Sequence, residues 1–72
     1  MLFRSDYMQI IVMYEGQKYV SKAEDHNDPN KVVTLMYENL PEMDRLKLDL
    51  ENGDVLLLGK HAVQHAAIVV RK

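Results

Sequence analysis

Cysteine is absent from the 72 residues, proline occurs only twice and glycine three times. Without thiols there is no disulfide framework and no thiolate cage for a metal, so the fold must hold by packing, and a reducing compartment is allowed. Long apolar runs are missing as well. None approaches the roughly 18 residues of a membrane span, and the N-terminus lacks the basic start and extended apolar stretch of a secretory signal. A soluble, cytoplasmic protein with no membrane partner is expected. There is no excess of positive charge either: 9 basic against 11 acidic residues leave a formal charge of −2. That argues against nucleic acid as a partner, because binding to the phosphate backbone depends on concentrated cations.

Groups for catalysis are equally sparse. The serines are Ser5 and Ser21 and the only threonine is Thr34, none of them in a strained turn motif that would activate a hydroxyl. Gly53, Gly59 and Lys60 imitate a phosphate-binding loop only superficially, since five residues separate the glycines and His61 stands where a hydroxyl residue is required. Asp49, Glu51 and Asp54 surround a hairpin tip, where solvation leaves carboxylates ordinary. No catalytic residue and no cofactor is assigned, and a non-enzymatic protein is expected.

What is present is a chain that is 47% hydrophobic and regularly patterned from Met8 onward. The opening MLFRSDY combines an isolated Leu-Phe pair with charges. Residues 1–7 are expected to be a disordered or non-native extension, with residues 8–72 forming a single domain. LFRS matches one reading frame of a common sequencing adapter, a provenance that would favour a viral source. MQIIVMY and QKYVSKAE then flank Glu15-Gly16, which predicts a tight hairpin with Tyr14 opposite Gln17, Val12 opposite Tyr19 and Ile10 opposite Ser21.

Asp28-Pro29 predicts a helix start, because Asp caps and Pro has no N–H to leave unbonded at the first position. Val32, Val33, Met36, Tyr37 and Leu40 form one apolar stripe, which Pro41 interrupts. The acidic loop before it does not fit a calcium site, since Pro29 and Met36 occupy ligand positions of that spacing. In RLKLDLENGDVLLLG, leucines alternate with charges and Asn52-Gly53 signals a second hairpin. A two-residue loop there would put Val55 and Leu57 on the side of Leu48 and Leu50, and turn Leu56 and Leu58 to the opposite face beside Asp49 and Lys47. KHAVQHA suits a short helical turn, and AIVVRK a last strand.

The expected fold is therefore a small single α+β domain: about five mainly antiparallel strands and one main helix, in the order β-β-α-β-β-short turn-β. One helix covers one face of a sheet. Ile11, Met13, Val20, Leu56, Leu58 and part of Ile68 to Val70 would then lack cover within the chain, which predicts a homo-oligomer. The alternative is a sheet that curls and buries both leucine sets within one chain.

His61 and His65 are four residues apart, a spacing that zinc accepts, but no cysteine and no HExxH accompany them and His26 lies in a distant loop, so no metal is assigned. Lys60, His61, Gln64, His65 and Arg71 make the most donor-rich region, suited to a phosphate or carboxylate. Tyr14 and Tyr19 supply rings that stack on a base. These seven residues are the candidate ligand-binding set, placed at an intersubunit pocket. The expected function is a homo-oligomeric binding protein, viral if that provenance holds, that sequesters a small anionic ligand such as a nucleotide-derived immune signal in the cytoplasm of a host. The other expectation is a protein-interaction module, a viral inhibitor or toxin-antitoxin component, that docks through its apolar sheet face.

Overall fold

The computed structural model describes residues 7–25 and 28–71. Among them the elements are β1 (Tyr7–Tyr14), β2 (Gln17–Val20), β3 (Glu24–Asp25), α1 (Pro29–Asn39), a 3-10 turn (Leu40–Glu42), β4 (Arg45–Asp49), β5 (Val55–Gly59), α2 (Lys60–His65) and β6 (Ala67–Arg71). The expected extension falls on residues 1–6 outside the described set, as does His26, while Tyr7 already belongs to β1 and pairs with Asp25. No described helix is long and apolar enough to cross a membrane.

β1 lies at the centre of one sheet, with β2 and β3 on one side and β6 on the other, all antiparallel to it. The first hairpin has the expected register, Tyr14 facing Gln17 and Val12 facing Tyr19. Its turn uses positive φ at Glu15 (50°) and Gly16 (78°), the twist-matched geometry of two-residue hairpins. β2 and β3 are one strand broken by a bulge: Ile10 receives the Ser21 N–H, yet Met8 faces Glu24, so Lys22 and Ala23 together oppose Gln9. Ser21 fixes this corner. Its Oγ accepts the Ile10 N–H at 2.7 Å and donates to the Lys22 carbonyl at 3.3 Å.

The second hairpin differs from the expectation by one residue. The Gly53 N–H donates to the Leu50 carbonyl (3.0 Å) and the Leu50 N–H to the Asp54 carbonyl (2.8 Å), with Gly53 at φ 95°. The loop is thus Glu51-Asn52-Gly53, three residues ending on a left-handed glycine, and Asn52 Oδ1 accepts the Asp54 N–H at 2.9 Å. Because side chains alternate with period two, a slip of one residue turns every side chain of the strand over. Leu46 therefore faces Leu58 and Leu48 faces Leu56, while Val55 and Leu57 point outward opposite Asp49 and Lys47. Leu58 is 8% exposed and Leu57 71%. Leu56 and Leu58 do not belong to a bare reverse face; they line the core.

The two sheets meet at the Ser21 corner. A bridge between Ser21 and Leu50, flanked by hydrogen bonds from Lys22 N–H to Asp49 O and from Glu51 N–H to Val20 O, joins them. Val12, Leu58 and Val63 form the buried centre, with Ile10, Tyr19, Leu46, Leu48, Leu56 and Ile68 packed around it. Each such side chain fully withdrawn from water contributes roughly 1.5–3 kcal/mol.

Helix α1 begins as expected, with Asp28 accepting the Lys31 N–H at 3.2 Å. Its stripe is only partly covered. Val32, Met36 and Leu40 are half-buried, but Val33 and Tyr37 stand exposed. The helix rides beside β6, and between them Val33, Met36, Tyr37, Leu40, Ile68 and Val70 border a cavity of about 150 Å³. The outer face of the β1 sheet keeps part of the expected apolar surface: Met13 and Val69 are each 41% exposed, while Ile11 is buried with Val20 and Val69 as its cross-strand neighbours.

Candidate binding site

Helix α2 has six residues, too few to persist alone, and is held by the core. Val63 is 1% exposed, and Ala62 and Ala66 pack beside it. That anchoring leaves Lys60, His61, Gln64 and His65 on the solvent side.

The two imidazoles stack, with ring centroids 4.1 Å apart and planes 25° from parallel. The His65 Nδ1–H donates to the His61 carbonyl at 2.8 Å. A carbonyl only accepts, so Nδ1 carries the proton and, in the neutral ring, Nε2 is left as an acceptor for a ligand. Gln64 turns the other way, its Nε2 donating to the Pro41 carbonyl at 3.4 Å and tying α2 to the turn after α1. Between them opens a groove of about 610 Å³, bordered by Tyr37, Glu38, Leu40, Pro41 and Gln64. Tyr37 is 79% exposed, a broad ring offered to solvent on the rim.

No family model, curated protein or solved structure matches this chain.

The seven expected residues divide into two groups. Tyr14 and Tyr19 share the inner face with Val12 at the end of β1 that pairs with Ala67, the residue joined to α2 through Ala66. Both are half-buried, and Tyr19 packs on the core. Lys60, His61, Gln64 and His65 lie on α2 at that same end. Arg71 does not. It pairs with Gln9 at the far end of β6, and four residues of strand amount to about 13 Å.

The sequence reading counted Tyr37 among the rings able to stack on a base but left it out of the candidate set, and it missed Glu38 and Pro41. Pro41 meets Gln64 across 23 residues of chain, and no local period records such a contact. A clue lay in the helical stripe, which carried one more large side chain than a single covered face needs. Glu38 also modifies the expected electrostatics: it sets a carboxylate on the groove, to which α2 contributes Gln64.

Among the described residues no group of three or more His, Asp or Glu converges as a metal would require. The described serine and threonine hydroxyls are otherwise engaged. Ser21 holds its corner, and Thr34 Oγ1 donates to the Asn30 carbonyl at 3.1 Å. What the arrangement provides is an aromatic ring and an amide on an open groove, with a stacked pair of imidazoles on the solvent side of the same short helix.

Proposed function

We propose that the chain is a small non-enzymatic, homo-oligomeric binding protein that holds a small anionic ligand with an aromatic ring, of the nucleotide type, at the groove between α1 and α2. The observation that carries this is the exposed Tyr37 ring beside Gln64 on a groove of about 610 Å³. That volume lies within the roughly 300–1,000 Å³ of small-molecule sites. A base stacked on Tyr37 would gain about 1–3 kcal/mol. Its charged group would turn away from Glu38 toward Lys60 and His61 on the neighbouring helix, and toward His65 as an imidazolium, the form in which Nε2 also donates. The reading places the protein in the cytoplasm. With a viral source, it makes the ligand a nucleotide-derived immune signal of the host, withdrawn by sequestration.

Thermal unfolding in the presence of cyclic and linear nucleotides tests it. A ligand at 100 times its Kd stabilises the folded chain by about 2.7 kcal/mol, which raises the Tm of a domain this size by roughly 10–20 °C. Tyr37→Ala and His65→Ala should each abolish most of that rise. Absence of any shift across the panel refutes the reading.

A second reading is a protein-interaction module, such as a viral inhibitor or toxin-antitoxin component, docking through the outer sheet face. Met13 and Val69 flanking Ile11 support it. Met13→Asp would abolish partner capture and leave a nucleotide shift intact.

A further inference from the structure

β6 has a partner on one side only, and the hydrogen bonds of β1 reveal which of its groups face outward. Ile10 turns both its N–H, bonded to Ser21 Oγ, and its carbonyl, bonded to the Ser21 N–H, toward β2. Backbone polar groups alternate sides along a strand, so Gln9 and Ile11 turn theirs toward β6, where Arg71 and Val69 face them. Ile68 and Val70 consequently direct their N–H and carbonyl groups to the free edge. Among the described residues no strand pairs with that edge.

A row of unused strand donors and acceptors is a template for another strand. Here apolar surface flanks it on both faces. Val33 and Tyr37 of α1 stand exposed on the inner side, and Met13 and Val69 on the outer. The β5 edge is differently guarded, since β4 sets Arg45, Lys47 and Asp49 on its outer side.

We infer that β6 pairs antiparallel with β6 of a second copy about a two-fold axis through Val69, extending the sheet across the dimer and bringing Arg71 of each copy to the α2 end of the other. The segment is self-complementary in this register. Ile68 faces Val70 of the other copy twice over, so every outward N–H of the pair meets a carbonyl, and Val69 faces Val69 at the axis. Arg71 meets Ala67, two residues after His65, so no like charges are opposed along the strands, whereas parallel pairing would set Arg71 beside Arg71. The pairing stands on the edge geometry alone. Its consequence, that Arg71 adds its charge at the α2 end of the other copy from the outer face of the sheet, rests on the binding function proposed above.

The test uses the whole chain and reads mass separately from ligand binding. Wild-type protein should sediment at twice the mass of one chain. Val69→Lys changes an exposed side chain, so the chain should stay folded by circular dichroism while the dimer Kd rises at least about 100-fold, because like charges then face each other at the axis. Val69→Cys gives the chain its only cysteine, and non-hydrogen-bonded antiparallel positions about 4.5 Å apart admit a disulfide; oxidation should yield a covalent dimer, and the matched Leu57→Cys on β5 should not. Arg71→Ala should keep the dimer and weaken the nucleotide shift. Wild-type protein at single-chain mass, or a folded Val69→Lys variant that dimerises as well as the wild type, or crosslinking through Leu57→Cys in place of Val69→Cys, overturns the pairing. A dimer with these properties that gives no nucleotide shift leaves the interface standing and removes the proposed ligand.

Discussion

Leu57 and Leu58 are neighbours of the same residue type in the same strand, and the hairpin register alone decides which of them holds the protein together. Replacing Leu58, 8% exposed, by alanine removes three carbons from the core. At about 0.8 kcal/mol per buried carbon this is roughly 2.4 kcal/mol, and the cavity left behind brings buried Leu→Ala losses to about 2.7–5 kcal/mol. A domain of this length has a total stability of only about 4–11 kcal/mol at typical values per residue. Leu58→Ala should therefore lower the Tm by at least about 10 °C and forfeit a large part of the folding free energy. Leu57 is 71% exposed, so its alanine variant should stay within about 0.5 kcal/mol of wild type. Urea unfolding followed by circular dichroism measures both, at one protein concentration because assembly would make stability depend on it. A two-residue loop would reverse the order. Equal losses, or a larger loss at Leu57, would refute the three-residue loop and the core built on it.

Two further substitutions probe the first sheet. Ser21→Ala deletes the Oγ that accepts the Ile10 N–H at 2.7 Å, and the partly buried amide left behind should cost about 1–3 kcal/mol by urea unfolding. Glu15→Asn places a residue that tolerates φ 50° at the first turn position, so the Tm should rise by a few degrees, about 0.5–1 kcal/mol. A fall in Tm would contradict the turn geometry.

Local chemistry made much of this protein legible. Asp28-Pro29 marked the start of α1, Glu15-Gly16 fixed the first register, and alternation in RLKLDL identified a strand, because each depends on residues a few positions apart. The side of α2 that carries Lys60, His61, Gln64 and His65 was likewise readable, since spacing alone gathers them. What lay beyond reach depended on a single hydrogen bond or on chain segments far apart. Both Asn52-Gly53 and Glu51-Asn52-Gly53 satisfy the same turn residues, and only packing selects the loop that sends Leu46, Leu48, Leu56 and Leu58 to one side. Likewise, Tyr37 meets Gln64 across the groove and Arg71 ends at the opposite end of β6 because of how the strands are ordered in the sheet. Composition and period set which elements form; burial of the leucine rows, a property of the whole molecule, decided how they face one another.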